Sequence, residues 1–307
     1  MSRSGLTVRA PAKINLLLGV GAPRPDGFHT LVTVYQAVSL YDDLMATPGE
    51  DDRITVATEV AAYIDAGHLP EPGHNIVDRA ASALAGHHGR PVPADVRVDK
   101  SIPIAGGLAG GSADGAAALL ALDRLHDLGT DDDALLELAA GLGSDVPFAL
   151  VGGTALGEGH GEVVTPVTDA GSWWWVVVPS PVGMSTPEVY RRYDELRPDA
   201  PAVPGAPDEV LGALAAGDAR LLSAALHNDL ERAACDLRPD LARLIVEGVD
   251  AGALRGLVSG SGPTVVFLCE DAAHARGVAG VLQNAEPARV VLVARGPVAG
   301  AHVVADG

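Results

Sequence analysis

Residues 102–129 read IPIAGGLAGGSADGAAALLALDRLHDLG, a glycine-rich loop from Ile104 to Gly111 that opens directly into a helix of alanine and leucine. The run just before it, Ala94 to Asp99, alternates apolar and polar residues as a strand does. Strand, glycine loop, helix is an order with a physical use. Backbone N–H groups at such a turn can converge on an anion, glycine lets the chain come close to it, and the helix N-terminus adds partial positive charge. Pro103 to Ala113 therefore reads as a phosphate cradle. No Lys-Ser or Lys-Thr closes it as in a Walker loop, and the G-x-G-x-x-G order of dinucleotide folds is absent. A flexible glycine turn is the plain alternative, since glycine runs alone carry little specificity.

Upstream of this segment, Leu6 to Val20 reads as one or two strands around a P-A-K-I-N turn, and Leu31 to Val38 and Arg53 to Thr58 read as further strands. Asn75 is placed to cap a helix through Ile76, Ala80, Ala83 and Leu84, whose spacing puts them on one face. Downstream, a helix from Asp131 to Ala140 ends at Gly141, and GLGSDVPFALVGGTALGEG (141–159) leads through a turn into new strands. A domain boundary near Gly157 to Gly161 gives units at 1–158 and 159–307. The second unit starts with strands at Glu162 to Val167 and Trp173 to Val178. Ser185-Thr186-Pro187-Glu188 then has the hydroxyl cap and early proline of a helix start. Residues 197–207 form a proline and alanine loop, and helices follow over Asp208 to Ala216, Asp218 to Leu230 and Pro239 to Val249. Strand, S-G-S-G loop, strand, helix and strand fill Leu254 to Ala294, so the expected class is α/β (α+β) in two domains.

A chain of 307 residues with 48% hydrophobic content can bury a sizeable core. Its formal net charge of −19 would repel a polyphosphate backbone, and no basic stripe offsets it, which argues against nucleic acid as a partner. An anionic ligand would need cations concentrated at its site. Neither a signal-peptide core nor an apolar run of membrane-spanning length is found, and Cys235 and Cys269 form no metal spacing or disulfide framework. The expected location is cytoplasmic, and the oligomeric state stays open between monomer and homodimer. Of the 21 Lys plus Arg residues only Lys13 and Lys100 are lysines. In a chain that uses arginine elsewhere, each can be there for its compact, tunable ammonium.

Lys13 stands in the apolar stretch P-A-K-I-N-L-L-L, where a charge is expensive to bury without a partner; an edge position with the head in water is the alternative. Lys100, three residues before Pro103, could reach the same phosphates or be a solvated strand end. Asp145, in G-L-G-S-D-V-P-F between a glycine turn and an apolar strand, could accept a hydroxyl proton, helped by a nearby lysine, or could cap a helix or turn. Ser259-Gly260-Ser261-Gly262 is either a close approach of backbone to a ligand or a tight hairpin. The ten histidines show no paired ligand spacing, and the Trp173 to Trp175 run reads as packing.

Together, PAKINLLLGV (11–20), RPDGFHTL (24–31), Gln36, HNIVDRA (74–80), the loop and helix at 103–122, GSDVPFALVGGTALGEGHGEVVTPV (143–167), STPEVY (185–190), HNDLE (227–231) and VSGSGPTVV (258–266) resemble the GHMP kinase superfamily. The resemblance covers nearly the whole chain, and PAKIN, DGFH and GSDVPF in combination are specific. It is strongest to members of the non-mevalonate isoprenoid pathway whose substrate carries a cytidine diphosphate group on methylerythritol. The resemblance implies an N-terminal domain with a left-handed-type βαβ phosphate loop and a ferredoxin-like C-terminal domain. It implies ATP and Mg²⁺ as cofactors, and transfer of phosphate to the 2-hydroxyl of that small molecule.

Carried onto matching positions, Asp145 would take the hydroxyl proton and Lys13 would orient both groups. ATP would lie on Pro103, Ile104, Ala105, Gly106, Gly107, Leu108, Ala109, Gly110, Gly111, Ser112 and Ala113, with Asn75 and Lys100 along the nucleotide and Ser112 a candidate for phosphate or metal. His29 would hydrogen-bond the cytosine and Phe28 stack on it, and Asn15, Thr186 and Pro187 would complete the substrate side. Other members act on mevalonate, homoserine or sugars, and an inactive ligand sensor of the same fold is a further alternative. Two departures stand out. Phe28 replaces a frequent tyrosine, and Gly111-Ser112-Ala113-Asp114 replaces G-S-S-N, adding a carboxylate that must point away, be paired or help bind the metal.

Overall fold

A computed structural model describes residues 5–49, 53–69, 75–104 and 106–304. Two long antiparallel strands, β1 (Leu6–Pro23) and β2 (His29–Pro48), form its spine. P-A-K-I-N is no turn: β1 runs straight through it, and the ladder absorbs Pro11 at a bulge where pairing jumps from Tyr41 to Val38. β3 (Ile54–Val60), α1 (Ile76–His88) and β4 (Ala94–Lys100) make a crossover unit with β3 and β4 parallel. The glycine loop leads from β4 into α2 (Gly110–Leu125), then α3 (Asp132–Leu142), α4 (Val146–Val151), β5 (Thr154–Glu158) and β6 (Val163–Pro166). α2 is buried almost all round. Its alanines at 113, 116, 117, 118 and 121 let α1 on one side and the β1/β2 face on the other approach closely.

The segment VPFALV, expected as a strand, is the helix α4. Pro147 suits its first turn, and Gly152, at φ +66°, ends it. That one turn of helix buries Phe148 against Tyr35.

The second half contains β7 (Trp173–Val178), α5 (Thr186–Leu196), α6 (Asp208–Ala216), α7 (Ala219–Ala225), β8 (His227–Asn228), α8 (Glu231–Leu237), α9 (Pro239–Asp250), β9 (Arg255–Val258), β10 (Val265–Cys269), α10 (Ala272–Ala285), β11 (Leu292–Gly296) and β12 (His302–Val304). Its sheet runs β11-β7-β10-β9, antiparallel throughout, the strand order of a ferredoxin-like domain. Trp173 and Trp175 are core residues. The single helix expected from Asp218 to Leu230 is broken, because β8 pairs with Leu17 and Leu18 of β1 and Asn228 turns its side chain onto the loop after β9.

A cut between residues 158 and 159 would leave three strands of the later chain in the earlier sheet: β6 pairs with β5, and β8 and β12 both pair with β1. A buried polar strap also joins the two sheets. Gln36 on β2 accepts from Trp175 Nε1 at 2.9 Å and donates to Asp169 at 3.0 Å. Fixing β2 against β7 in this way sets the walls of the cleft described next.

Candidate active site

A cavity of about 820 Å³ opens between the glycine loop, the inner end of β1, the β1–β2 turn and α5. One wall is the loop itself, through Pro103, Gly106, Gly107, Ala109, Gly110, Gly111 and Ser112. Ala109 precedes α2 at φ +57° and gives no side-chain cap, so the first amides of α2 have no partner inside the helix. They are the free donors that a phosphate needs. The loop is pinned from three sides. Lys13 N donates to Leu108 O at 3.1 Å, Thr264 N to Gly106 O at 3.3 Å, and Ser259 Oγ to Gly107 O at 3.1 Å. Gly107 sits at φ +77°, and a Cβ there would lie 2.2 Å from Ser259 O, so no other residue fits. Ser259–Gly262 is thus both the connection between β9 and β10 and a wall of the cavity.

Lys13 and Asp145 meet in the floor. Lys13 is 7% exposed; its Nζ donates to Asn15 Oδ1 at 2.7 Å and lies 3.6 Å from Asp145 Oδ2. Asn15 in turn donates to Thr33 Oγ1 at 2.8 Å, which fixes the amide and hence the ammonium. Asp145 precedes α4 but accepts no capping bond, so its carboxylate faces the cavity, with Lys13 and the Tyr35 phenol as its neighbours. Tyr35 lies beside the pair. Burial and then the Asp145 charge push its phenol well above the ordinary tyrosine value, so it keeps its proton.

Some expected site residues sit elsewhere. Lys100 does not line the cavity. It is buried between Asp42 and Asp114, donating to each at 2.6 Å, while Asp42 also accepts the amides of Ser101 and Ile102 at the head of the loop. Burial opposes the Lys100 charge, but Asp114 and Asp42 outweigh it and raise its pKa. Asp114 is the paired case of the three open to it, and its other oxygen is enclosed without a partner. Burial first, and repulsion from Asp42, push its carboxyl up to about 8 despite Lys100. Asn75 caps α1 by accepting from Val77 N at 3.0 Å. Leu108 and Ala113 are fully buried, Ile104 faces a second cleft beside Tyr63 on the far side of Pro103, and Ala105 lies outside the described residues.

The opposite end of the cavity holds Phe28, His29, Thr186 and Pro187 with Asn15. It also holds residues that reading the sequence missed: Tyr190, Arg191 and Asp194 on α5, and Tyr35, Ser144 and His160. The helical period would have extended Thr186 and Pro187 to Tyr190, Arg191 and Asp194, which share their face. Tyr35 and His160 carry no such signal, because only tertiary folding brings them in. Phe28 stacks on His160 with centroids 4.9 Å apart and planes 10° from parallel, leaving its other face open. Burial and Asp145 raise the Tyr190 pKa, so its phenol is also a donor.

Free amides at one end, a paired lysine and aspartate in the middle and an aromatic shelf at the other end suit transfer of an anionic group between two ligands. Among the described residues no group of three His, Cys, Asp or Glu could hold a metal, and no helix is long and apolar enough to cross a membrane.

Comparisons with known proteins agree in direction. The family models for the GHMP kinases N terminal domain and GHMP kinases C terminal match residues 75–153 and 210–288. A 4-diphosphocytidyl-2-C-methyl-D-erythritol kinase of Nocardioides sp. is 64% identical, over 97% of this chain and 99% of its own. The crystal structure of a 4-(cytidine 5'-diphospho)-2C-methyl-D-erythritol kinase superposes with TM-score 0.77 at 32% identity, covering 94% of this chain and 98% of that one. A homoserine kinase from Cytophaga hutchinsonii reaches TM-score 0.76 at 18% identity, with 98% of each chain covered, so the fold by itself does not choose the acceptor.

Proposed function

The chain belongs to the GHMP kinase family, among its 4-diphosphocytidyl-2-C-methyl-D-erythritol kinases, and from that premise we propose how its cavity carries phosphate from ATP to the 2-hydroxyl of the cytidyl substrate. The enzyme is an ATP-dependent phosphotransferase with an alcohol acceptor, in the methylerythritol phosphate route to isoprenoids.

Asp145 takes the hydroxyl proton as the oxygen attacks the terminal phosphorus. Lys13 orients the carboxylate and offsets the charge that grows on the attacking oxygen. The amides at Gly110, Gly111 and Ser112 receive the phosphates, and the nucleoside end passes over Pro103 and Ile104 toward Tyr63. Asn75 and Lys100 support the nucleotide side from behind, the first by capping α1 and the second by tying β4 and the loop to α2. Phe28 supplies a stacking face and His29 a hydrogen bond to cytosine, while Thr186, Pro187 and Asn15 shape the acceptor side.

Mg²⁺ fits this donor set. With no three-carboxylate cage among the described residues, the ion would be held through the phosphates and water, with Ser112 as the candidate protein oxygen. When bound it neutralises charge on the phosphates. All of these residues come from one chain, and the cytoplasm is the location proposed for the enzyme.

The observation that carries this reading is the Asp145 carboxylate, 3.6 Å from the Lys13 ammonium and free of any capping bond, opposite the loop amides. Asp145→Asn is expected to melt like the parent protein and to lose activity by about 10²- to 10⁴-fold, the range for a general base. Full activity would remove the base assignment.

A further inference from the structure

We infer that Asp194 is a specificity-determining positioning residue: it holds His29 so that the ring offers a bare Nδ1 to the substrate's base, which selects cytosine over uracil. This rests on the reading of Phe28 and His29 as the base subsite. His29 Nε2 lies 2.8 Å from Asp194 Oδ1. An ionised carboxylate only accepts hydrogen bonds, so Nε2 carries the proton. In a neutral ring Nδ1 is then a lone-pair acceptor. Nδ1 has no hydrogen-bond partner among the described residues, yet it is not one of the enclosed, unpartnered atoms. It therefore keeps access to open space, and the space that His29 lines is the cavity.

The geometry around the ring is fixed. His29 is 7% exposed, packed at 4.9 Å against the tilted ring of Tyr190 and edge-on to Tyr193. Tyr193 Oη donates to Val20 O at 2.5 Å, which anchors α5 on β1 and holds Asp194 in place over the start of β2. Cytosine presents an exocyclic amino donor where uracil presents a carbonyl acceptor. A bare Nδ1 accepts from the first and faces the second lone pair to lone pair, so discrimination comes from repulsion as well as attraction.

The test compares kcat/KM for the cytidyl substrate and its uridyl analogue in the parent enzyme and in Asp194→Ala. The expected result is that the cytidyl-to-uridyl ratio falls by about tenfold or more, the worth of one hydrogen bond. The loss should lie in KM for the cytidyl substrate, with KM for ATP unmoved. A merely structural role would lower both substrates together and leave the ratio intact, which would overturn the inference. Imidazole ¹⁵N NMR on the parent enzyme needs no variant. It should show the His29 proton on Nε2 and a bare Nδ1, and a ring protonated at Nδ1 would overturn the inference. If the parent enzyme does not discriminate the two bases at all, the base subsite itself is misassigned, and the inference falls with it.

Discussion

Two buried carboxylates against one ammonium leave Asp42, Lys100 and Asp114 one negative charge in excess, and Asp114 is the group that meets the cost by keeping its proton. Its carboxyl is pushed up to about 8, against about 3.9 for an unfolded aspartate, so between those values the folded chain binds more protons than the unfolded one. Stability from this group is therefore complete below about pH 4 and is lost as pH rises toward 8. Asp114→Asn can still accept from Lys100 and has nothing to ionise. Its melting temperature relative to the parent protein should rise between about pH 5 and pH 8.5. A difference independent of pH would contradict the buried acid. The scarcity of lysine draws attention to Lys13 and Lys100, and both are buried, in different surroundings. Nearness to Pro103 in the chain points Lys100 toward the phosphates. Strand alternation decides otherwise, since Ala94, Val96, Val98 and Lys100 share the buried face of β4. Lys13 is no solvated edge residue: it is buried with an amide and a carboxylate beside it.

At the scale of elements, two loops from opposite halves of the chain lock together, the glycine loop before α2 and Ser259–Gly262 after β9. Asn228 holds the second loop by donating to Val258 O and Gly260 O, each at 2.8 Å, while its own oxygen accepts from Leu230 N. Asn228→Ala would leave those buried groups unpaired, at roughly 1–3 kcal/mol for an unsatisfied buried polar group. The expected outcome is a lower melting temperature with a several-fold higher KM for ATP. A normal KM for ATP would mean that the two loops are not coupled. The strand, loop and helix at 94–125 were legible because each local signal agreed with the final packing. α4 and the α7–β8–α8 break were not, because the reason for each lies elsewhere. Phe148 needs the Tyr35 ring, and Asn228 needs the carbonyls of a loop thirty residues on.

At the scale of the whole molecule, a strongly acidic chain gathers free helix amides, Lys13 and Arg191 around one cleft, the positive features that two anionic ligands need. Both sheets are needed to make that cleft, and the Gln36 strap and the return of β12 to β1 hold them in register. The loop side of the cleft was readable from local sequence. The acceptor half was only partly so, because its α5 face, Tyr35 and His160 converge through tertiary structure alone. The most direct measurement mixes the purified protein with Mg-ATP and the cytidyl methylerythritol substrate and follows ³¹P and ¹³C NMR. The expected result is ADP together with a new phosphomonoester on the 2-hydroxyl. No product from that substrate, with turnover of mevalonate or homoserine in its place, would contradict the assignment.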